Sequence, residues 1–256
     1  MAVHGSHRSP KGRTLARAVL GALAGLAWSG GLLHGTQDAN GLRGDPGAIA
    51  DAEAMVRTMG GLDIWGELRS VHFVHEWDIY DRPDIYLENE ILDLTGPRSH
   101  VTMRSEIHRR LRAYSPEHRY WNVVDGELSY ADQASFENAM ERAPYNLYRL
   151  ARAIARGDGH YEVRFGPMRD VPGATGLEFR GPDGEAHGWI LLNTRMEPVV
   201  WATTQYRYVF GPLERYGSVR VPAWGTTGNG RVRYEMVSLT ASREPPDPSL
   251  FAPPPD

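Results

Sequence analysis

Gly188-Trp189-Ile190-Leu191-Leu192 and Pro198-Val199-Val200-Trp201-Ala202-Thr203-Thr204 are two apolar runs joined by the polar Asn193-Thr194-Arg195-Met196-Glu197. β-Branched and aromatic residues fill both runs, as pleated and partly buried surfaces prefer. The stretch reads as a β-hairpin, the central one of a large antiparallel sheet. Outward from it the pattern recurs. Toward the C-terminus, Gly217 to Val221 and Arg231 to Leu239 are strand-like, the latter entered through Gly228-Asn229-Gly230. Toward the N-terminus lie Tyr161 to Phe165 and Gly176 to Arg180, with Pro182-Asp183-Gly184 as a tight turn before the hairpin.

Further back, Arg119 to Val124 and Glu127 to Ala131 flank Asp125-Gly126, a strong two-residue hairpin signal. Ser99 to Arg112 reads as one long strand, and Ile85 to Leu94 as another. From Ser70 the period is two: Val71, Phe73, His75, Trp77 and Ile79 point one way, and His72, Glu76 and Asp78 the other. The total is about eleven strands.

Two stretches are helical instead. Asp45 caps a helix with Pro46 in its first turn; Ile49, Ala52, Met55, Val56 and Met59 fall at helical spacing, and Gly60-Gly61 stops it. A short turn from Leu62 to Leu68 carries Trp65. Asp132 or Ser135 caps a second stretch through Phe136, Ala139 and Met140, and Pro144 starts another helix at its own first turn. That helix puts Leu147, Leu150, Ala151 and Ile154 on one stripe with Tyr148 beside it, and Arg149, Arg152 and Arg156 elsewhere.

The first forty residues differ in texture. His7, Arg8, Lys11, Arg13 and Arg17 precede the nearly uncharged run Ala18 to Leu33, the order of a secretory signal peptide. The run is shorter than the roughly twenty apolar residues of a membrane span and is diluted by glycine. Residues 1–33 are therefore expected to be a cleaved leader, or else an uncleaved N-terminal anchor, with 34–44 as a linker. The expected location is the periplasm or cell envelope. There is no cysteine in the chain, which excludes disulfides, thiolate metal sites and a lipid-acceptor cysteine after the leader. Residues 1–43 hold five basic groups and one acidic, leaving 23 basic groups against 31 acidic ones, a formal charge of −8. That sign disfavours a general nucleic-acid surface.

Gly60-Gly61-Leu62-Asp63-Ile64-Trp65, Trp121-Asn122-Val123-Val124-Asp125-Gly126, Trp189-Ile190-Leu191-Leu192-Asn193 with Pro198, and Asp247-Pro248-Ser249-Leu250-Phe251 follow one another between residues 47 and 252. In that order they resemble the LolA/LolB-like lipoprotein-carrier superfamily of bacterial envelope proteins. The resemblance implies a mainly β, α+β fold over 45–252: a large curved antiparallel sheet forming an unclosed barrel, helices over its concave face, and a hydrophobic cavity between. It implies a cavity that takes acyl chains or a surface offered to partners. Residues 253–256 are a proline-rich tail, and Leu250 and Phe251 are positioned to dock.

A sheet of this size with helices on one side either fills its interior with side chains or leaves room for a ligand. The candidate lining is Phe73, Trp77, Trp121, Tyr161, Phe165 and Trp189, then Trp201, Tyr206 and Tyr208, with Tyr148 and Ile154 contributed by the helix as lid or plug. For each, ordinary core packing is the competing reading. Arg109, Arg110 and Arg112 are candidates for contact with an anionic headgroup or a partner, against their reading as a charged strand end.

Chemistry is sparse. His72-Phe73-Val74-His75-Glu76 has the composition of a zinc motif but not its geometry, since on a strand His72 and His75 point to opposite faces. Glu88 and Glu90 share a strand face, where a solvated outer surface accounts for them more simply than an acid–base pair. The histidines at 100, 108, 118, 160 and 187 are scattered. Gly-x-Ser-x-Gly, phosphate-binding loops and dinucleotide fingerprints are absent. No metal and no cofactor is expected. The expected function is non-enzymatic binding of a lipid, lipoprotein or other hydrophobic ligand, with peripheral or N-terminal membrane association. The alternatives are an interaction module with a filled barrel that recognises another envelope protein, and a hydrolase or metalloenzyme with dispersed residues.

Overall fold

The computed structural model describes residues 41–166 and 173–255. The expected leader, 1–33, and most of the expected linker lie outside the described residues. In chain order the strands and helices are β1 (Arg43–Gly44), α1 (Pro46–Thr58), α2 (Leu62–Glu67), β2 (Ser70–Ile79), β3 (Tyr86–Asp93), β4 (Ser99–Arg104), β5 (Arg109–Ser115), β6 (Arg119–Val124), β7 (Glu127–Tyr130), α3 (Gln133–Arg142) and α4 (Leu147–Arg156). Then come β8 (Glu162–Phe165), β9 (Thr175–Arg180), β10 (Ala186–Leu192), β11 (Pro198–Thr203), β12 (Arg207–Phe210), β13 (Leu213–Tyr216), β14 (Val219–Pro222), β15 (Trp224–Thr227) and β16 (Val232–Ser242).

Among the described residues fourteen strands form one sheet, in the order β1-β8-β9-β10-β11-β12-β15-β16-β2-β3-β4-β5-β6-β7, and β13–β14 form a separate pair. The sheet is unclosed, since β1 and β7 stand at its two ends. Its pairings are antiparallel except β1 with β8. The strand number exceeds the expected eleven for identifiable reasons. The stretch 99–112 is a hairpin, turned at Ser105–His108 without glycine or proline: the Ser105 N–H donates to His108 O at 2.9 Å, and the His108 N–H donates to Ser105 Oγ at 3.1 Å. Four short strands, at 43–44, 207–210, 213–216 and 224–227, have too few residues to show a period. Of the expected linker, the described part is held in place: Leu42 is fully buried and Arg43 pairs with Glu162.

The hairpin β10–β11 is correct in its pairing, with Trp189 opposite Ala202 and Leu191 opposite Val200, but it is not the centre of the sheet. The longest pairing, next to the middle of the sheet, is β16 against β2, paired from Val232↔Ile79 to Ser242↔Ser70. A bulge between Met236 and Ser238 shifts the register, so that Tyr234, Met236 and Leu239 all face inward while Val237 lies exposed.

The topology forces the helices onto one face. β7 ends one edge of the sheet and β8 lies beside the other, so the chain carrying α3 and α4 must cross from edge to edge. Local caps are as the sequence implies: Asp45 accepts from Gly47 N (2.9 Å) and Asp132 from Ser135 N (2.6 Å). Pro144 sits in a short 3-10 turn, however, and α4 begins three residues later, capped by Asn146, which accepts from Tyr148 N at 2.9 Å. The main core joins α1, α2 and α4 to β2, β9, β10 and β14 through residues such as Met55, Trp65, Leu150, Phe179, Ile190 and Val221. Gly60, at φ +132°, lets the chain turn against β14, where a Cβ would stand 2.8 Å from Ser218 O. Among the described residues no helix is long and apolar enough to cross a membrane.

Candidate functional site

The interior is packed only in part. Under the elbow between α3 and α4, the inner face of β2–β6, β11, β12 and β16 bounds a half-open cavity of about 480 Å³. Period two supplies its walls. On β2, Phe73, His75 and Trp77 face inward and the ladder continues their rows: Trp77 is opposite Tyr86 and Tyr234, and His75 opposite Glu88 and Met236. Trp77 stacks with Tyr86 (centroids 6.2 Å) and meets Tyr234 at 5.2 Å. Tyr208 on β12 stacks with Trp201 on β11 at 5.9 Å. Gly225 makes room for Tyr234, since a Cβ there would stand 2.5 Å from the ring. Tyr148 on α4 closes the roof against Phe73 at 5.7 Å. This side is an aromatic wall.

The opposite wall is polar, which the sequence reading did not anticipate. Glu88 and Glu90, expected on a solvated outer face, point into the cavity; Glu88 is 4% exposed. They follow Tyr86 on the inner face of β3, in register with Trp77, His75 and Phe73. Two strands further on, Arg110 and Arg112 share that face, and Arg109 points away to solvent. Arg112 reaches back over β4 to Glu88, Nη2 to Oε2 3.4 Å. Arg110 donates twice to Asn122 Oδ1, at 2.6 and 3.2 Å. Ser99 Oγ donates to Glu90 at 2.6 Å.

Burial controls the protonation of this wall. Desolvation lifts the Glu88 carboxyl to about 7, against the opposing pull of Arg112. Burial pushes His75 down to about 3, so its imidazole is neutral at ordinary pH. Tyr86 is raised to about 12 by burial and by the nearby Glu88. Neither ring nitrogen of His75 has a hydrogen-bond partner, while the Trp77 indole faces the Glu88 carboxyl and works against its rise. An unsatisfied buried polar group costs about 1–3 kcal/mol.

Of the sequence candidates, Phe73, Trp77, Tyr148, Trp201, Tyr206, Tyr208, Arg110 and Arg112 line the cavity. The others are elsewhere. Trp121 faces the outer side of β6, where its indole donates to Phe251 O at 2.8 Å and anchors the C-terminal turn. Trp189 also faces outward, donating to Glu178 at 3.4 Å, because the alternation gives the inward places to Gly188 and Ile190. Tyr161 donates to Pro144 O and packs on Tyr145; Ile154 and Phe165 belong to the main core. Missed were His75, Tyr86, Glu88, Met103, Phe210 and Tyr234 among others. The row Tyr86-Glu88-Glu90 opposite an aromatic strand was a usable signal once the register was known.

The expected α4 pattern also needs correction. Arg149 is buried and donates to the carbonyls of Asp93 (2.8 Å), Ala143 (2.9 Å) and Arg98 (2.6 Å). Arg152 donates to Leu68 O at 2.7 Å. These side chains fasten the roof to the sheet. Chemically the cavity offers aromatic surface, hydrogen-bond donors and one carboxyl that titrates near neutrality. Among the described residues no group of three or more His, Asp or Glu is placed to hold a metal ion.

No protein-family model and no curated protein matches this chain. Among solved structures it is similar to a DUF1329 family protein from Desulfovibrio piger, at 10% identity over 75% of this chain and 92% of that one, TM-score 0.44. It is also similar to the Mycobacterium tuberculosis lipoprotein LppX, at 13% identity, 79% and 98% coverage and TM-score 0.32. The third is MucB, at 13% identity, 80% and 63% coverage and TM-score 0.22. Likenesses of this size carry no argument about ligand or activity. The architecture itself, an unclosed sheet with helices against one face, has the form that the resemblance to the LolA/LolB-like carriers implied.

Proposed function

We propose that this protein is an exported envelope protein that binds an amphipathic, acyl-chain ligand in the half-barrel cavity, without chemical conversion of it. The observation that supports this most directly is the cavity: about 480 Å³, within the roughly 300–1,000 Å³ of small-molecule sites. Trp77, Tyr208, Trp201, Phe210 and Val101 give it an apolar wall, left uncovered beneath the helical roof. A module recognising proteins through a filled barrel would have no need of this space. The basic, then apolar, N-terminal segment supports export.

Native mass spectrometry with lipid extraction, on protein purified from the envelope without detergent, tests the reading. A stoichiometric acyl adduct is expected. Tyr208→Asp should abolish it in a protein that retains its circular dichroism, whereas Trp189→Asp, on the outer face, should leave it intact. A clean apo mass for the parent chain would overturn carriage.

A further inference from the structure

Resting on that reading, we propose that the β3–β6 side of the cavity is a subsite for an oxyanion head on the bound acyl chain, a carboxylate or phosphate monoester, held by Arg110 and Arg112. A cavity built for hydrocarbon alone would be lined by apolar residues throughout. This one places two guanidinium groups and two carboxylates on one side.

The hydrogen-bond inventory selects the sign of the head. His75, 6% exposed, has both ring nitrogens unspent and, as a neutral imidazole, offers one donor and one acceptor. Arg110 reaches no carboxylate at ion-pair distance among the described residues, and its bonds go to the neutral Asn122. Arg112 meets Glu88 at 3.4 Å, the long end of hydrogen bonding, and also faces the Tyr120 hydroxyl. From the roof, Arg142 faces the cavity with its guanidinium 4.6 Å above the Tyr206 ring. The acceptors are more committed: Glu90 takes the Ser99 hydroxyl and Glu88 takes Arg112. Three guanidinium groups, those of Arg110, Arg112 and Arg142, thus face two carboxylates that already accept, so the missing partner is oxygen-rich and negative.

Glu88 makes that site sensitive to pH. The groups around it are Tyr86 and Glu90 on its own strand, His75 and Trp77 on β2, Arg110 and Arg112 on β5, and Tyr208 on β12. Ionised Glu88 competes with the ligand head for Arg112. Protonated Glu88 releases that guanidinium and becomes a donor itself, so oxyanion binding and Glu88 protonation reinforce each other.

The test measures binding of palmitate, hexadecanol, lysophosphatidate and hexadecyltrimethylammonium to the delipidated full chain by calorimetry. Palmitate or lysophosphatidate should bind at least about tenfold more tightly than hexadecanol, and the stronger of the two identifies carboxylate or phosphate as the head. Arg110→Gln should remove that preference and leave hexadecanol affinity unchanged. From about pH 8 to about pH 6 palmitate affinity should rise while that of hexadecanol stays flat. Equal affinity for acid and alcohol, unmoved by Arg110→Gln, would overturn the subsite and keep the cavity as an acyl-chain site. Preference for the ammonium would overturn it in favour of a cationic head. Failure of every chain to bind would remove the carrier reading and the subsite together.

Discussion

Two buried side chains, opposite each other in the β2–β3 ladder, give this protein opposing pH dependences. The Glu88 carboxyl is raised from 4.5 to about 7, so the folded state holds a proton that the unfolded state has released. Its contribution to stability therefore falls as pH rises through that window. His75 is lowered from 6.5 to about 3, so the unfolded state binds the extra proton, and its contribution is lost as pH falls through that range. Where the windows overlap, the two slopes oppose one another. Urea midpoints measured across acidic to neutral pH should thus be flatter for the parent chain than for either variant. His75→Phe should lose stability with rising pH, and Glu88→Gln should gain it. Parallel profiles for all three would mean that neither group is desolvated as described. At this scale the sequence was only half legible: that Glu88 and Glu90 share a face follows from period two, but which face is inner does not.

At the scale of elements, α4 is the piece whose placement decides the site. Its apolar stripe of Leu147, Leu150, Ala151 and Ile154 was readable from spacing, and all four are buried. Its arginines were not readable, because helical periodicity sorts residues by angle and cannot say that Arg149 meets the open carbonyls of Asp93, Arg98 and Ala143. Replacing it by leucine leaves three carbonyls without that donor. Arg149→Leu should therefore destabilise the fold by about 2–4 kcal/mol, against about 1 kcal/mol for Arg152→Leu, which gives up a single hydrogen bond to Leu68 O. Equilibrium denaturation of the two variants checks the ranking. The outer face shows the same division of labour. Trp121 and Phe251 were both marked by the sequence as significant, yet they pack together on the convex side, where the indole–carbonyl bond ties down the C-terminal turn.

For the whole molecule, the pairing of β16 with β2 matters most, since it joins a strand near the C-terminus to the first long strand and fuses two meanders into one sheet. Amide hydrogen exchange should be slowest along this pair and fast at the terminal strands β1 and β7, since protection follows depth in the hydrogen-bonded sheet. Slowest exchange in β10–β11 would instead return the centre to the hairpin from which the sequence was first read. By itself the sequence determined what is local: hairpins with their turn residues, helix caps, apolar periods, and the absence of cysteine. Each depends on neighbours a few residues apart, whose geometry the backbone limits to a small set. Tertiary structure alone decided the β16–β2 register, the crossing of α3 and α4 over one face, and hence which alternate residues face the cavity. Those choices bring residues more than 150 positions apart into contact, such as Trp77 and Tyr234. Many side-chain patterns satisfy one strand's alternation equally well facing either way, and only the packed sheet distinguishes them.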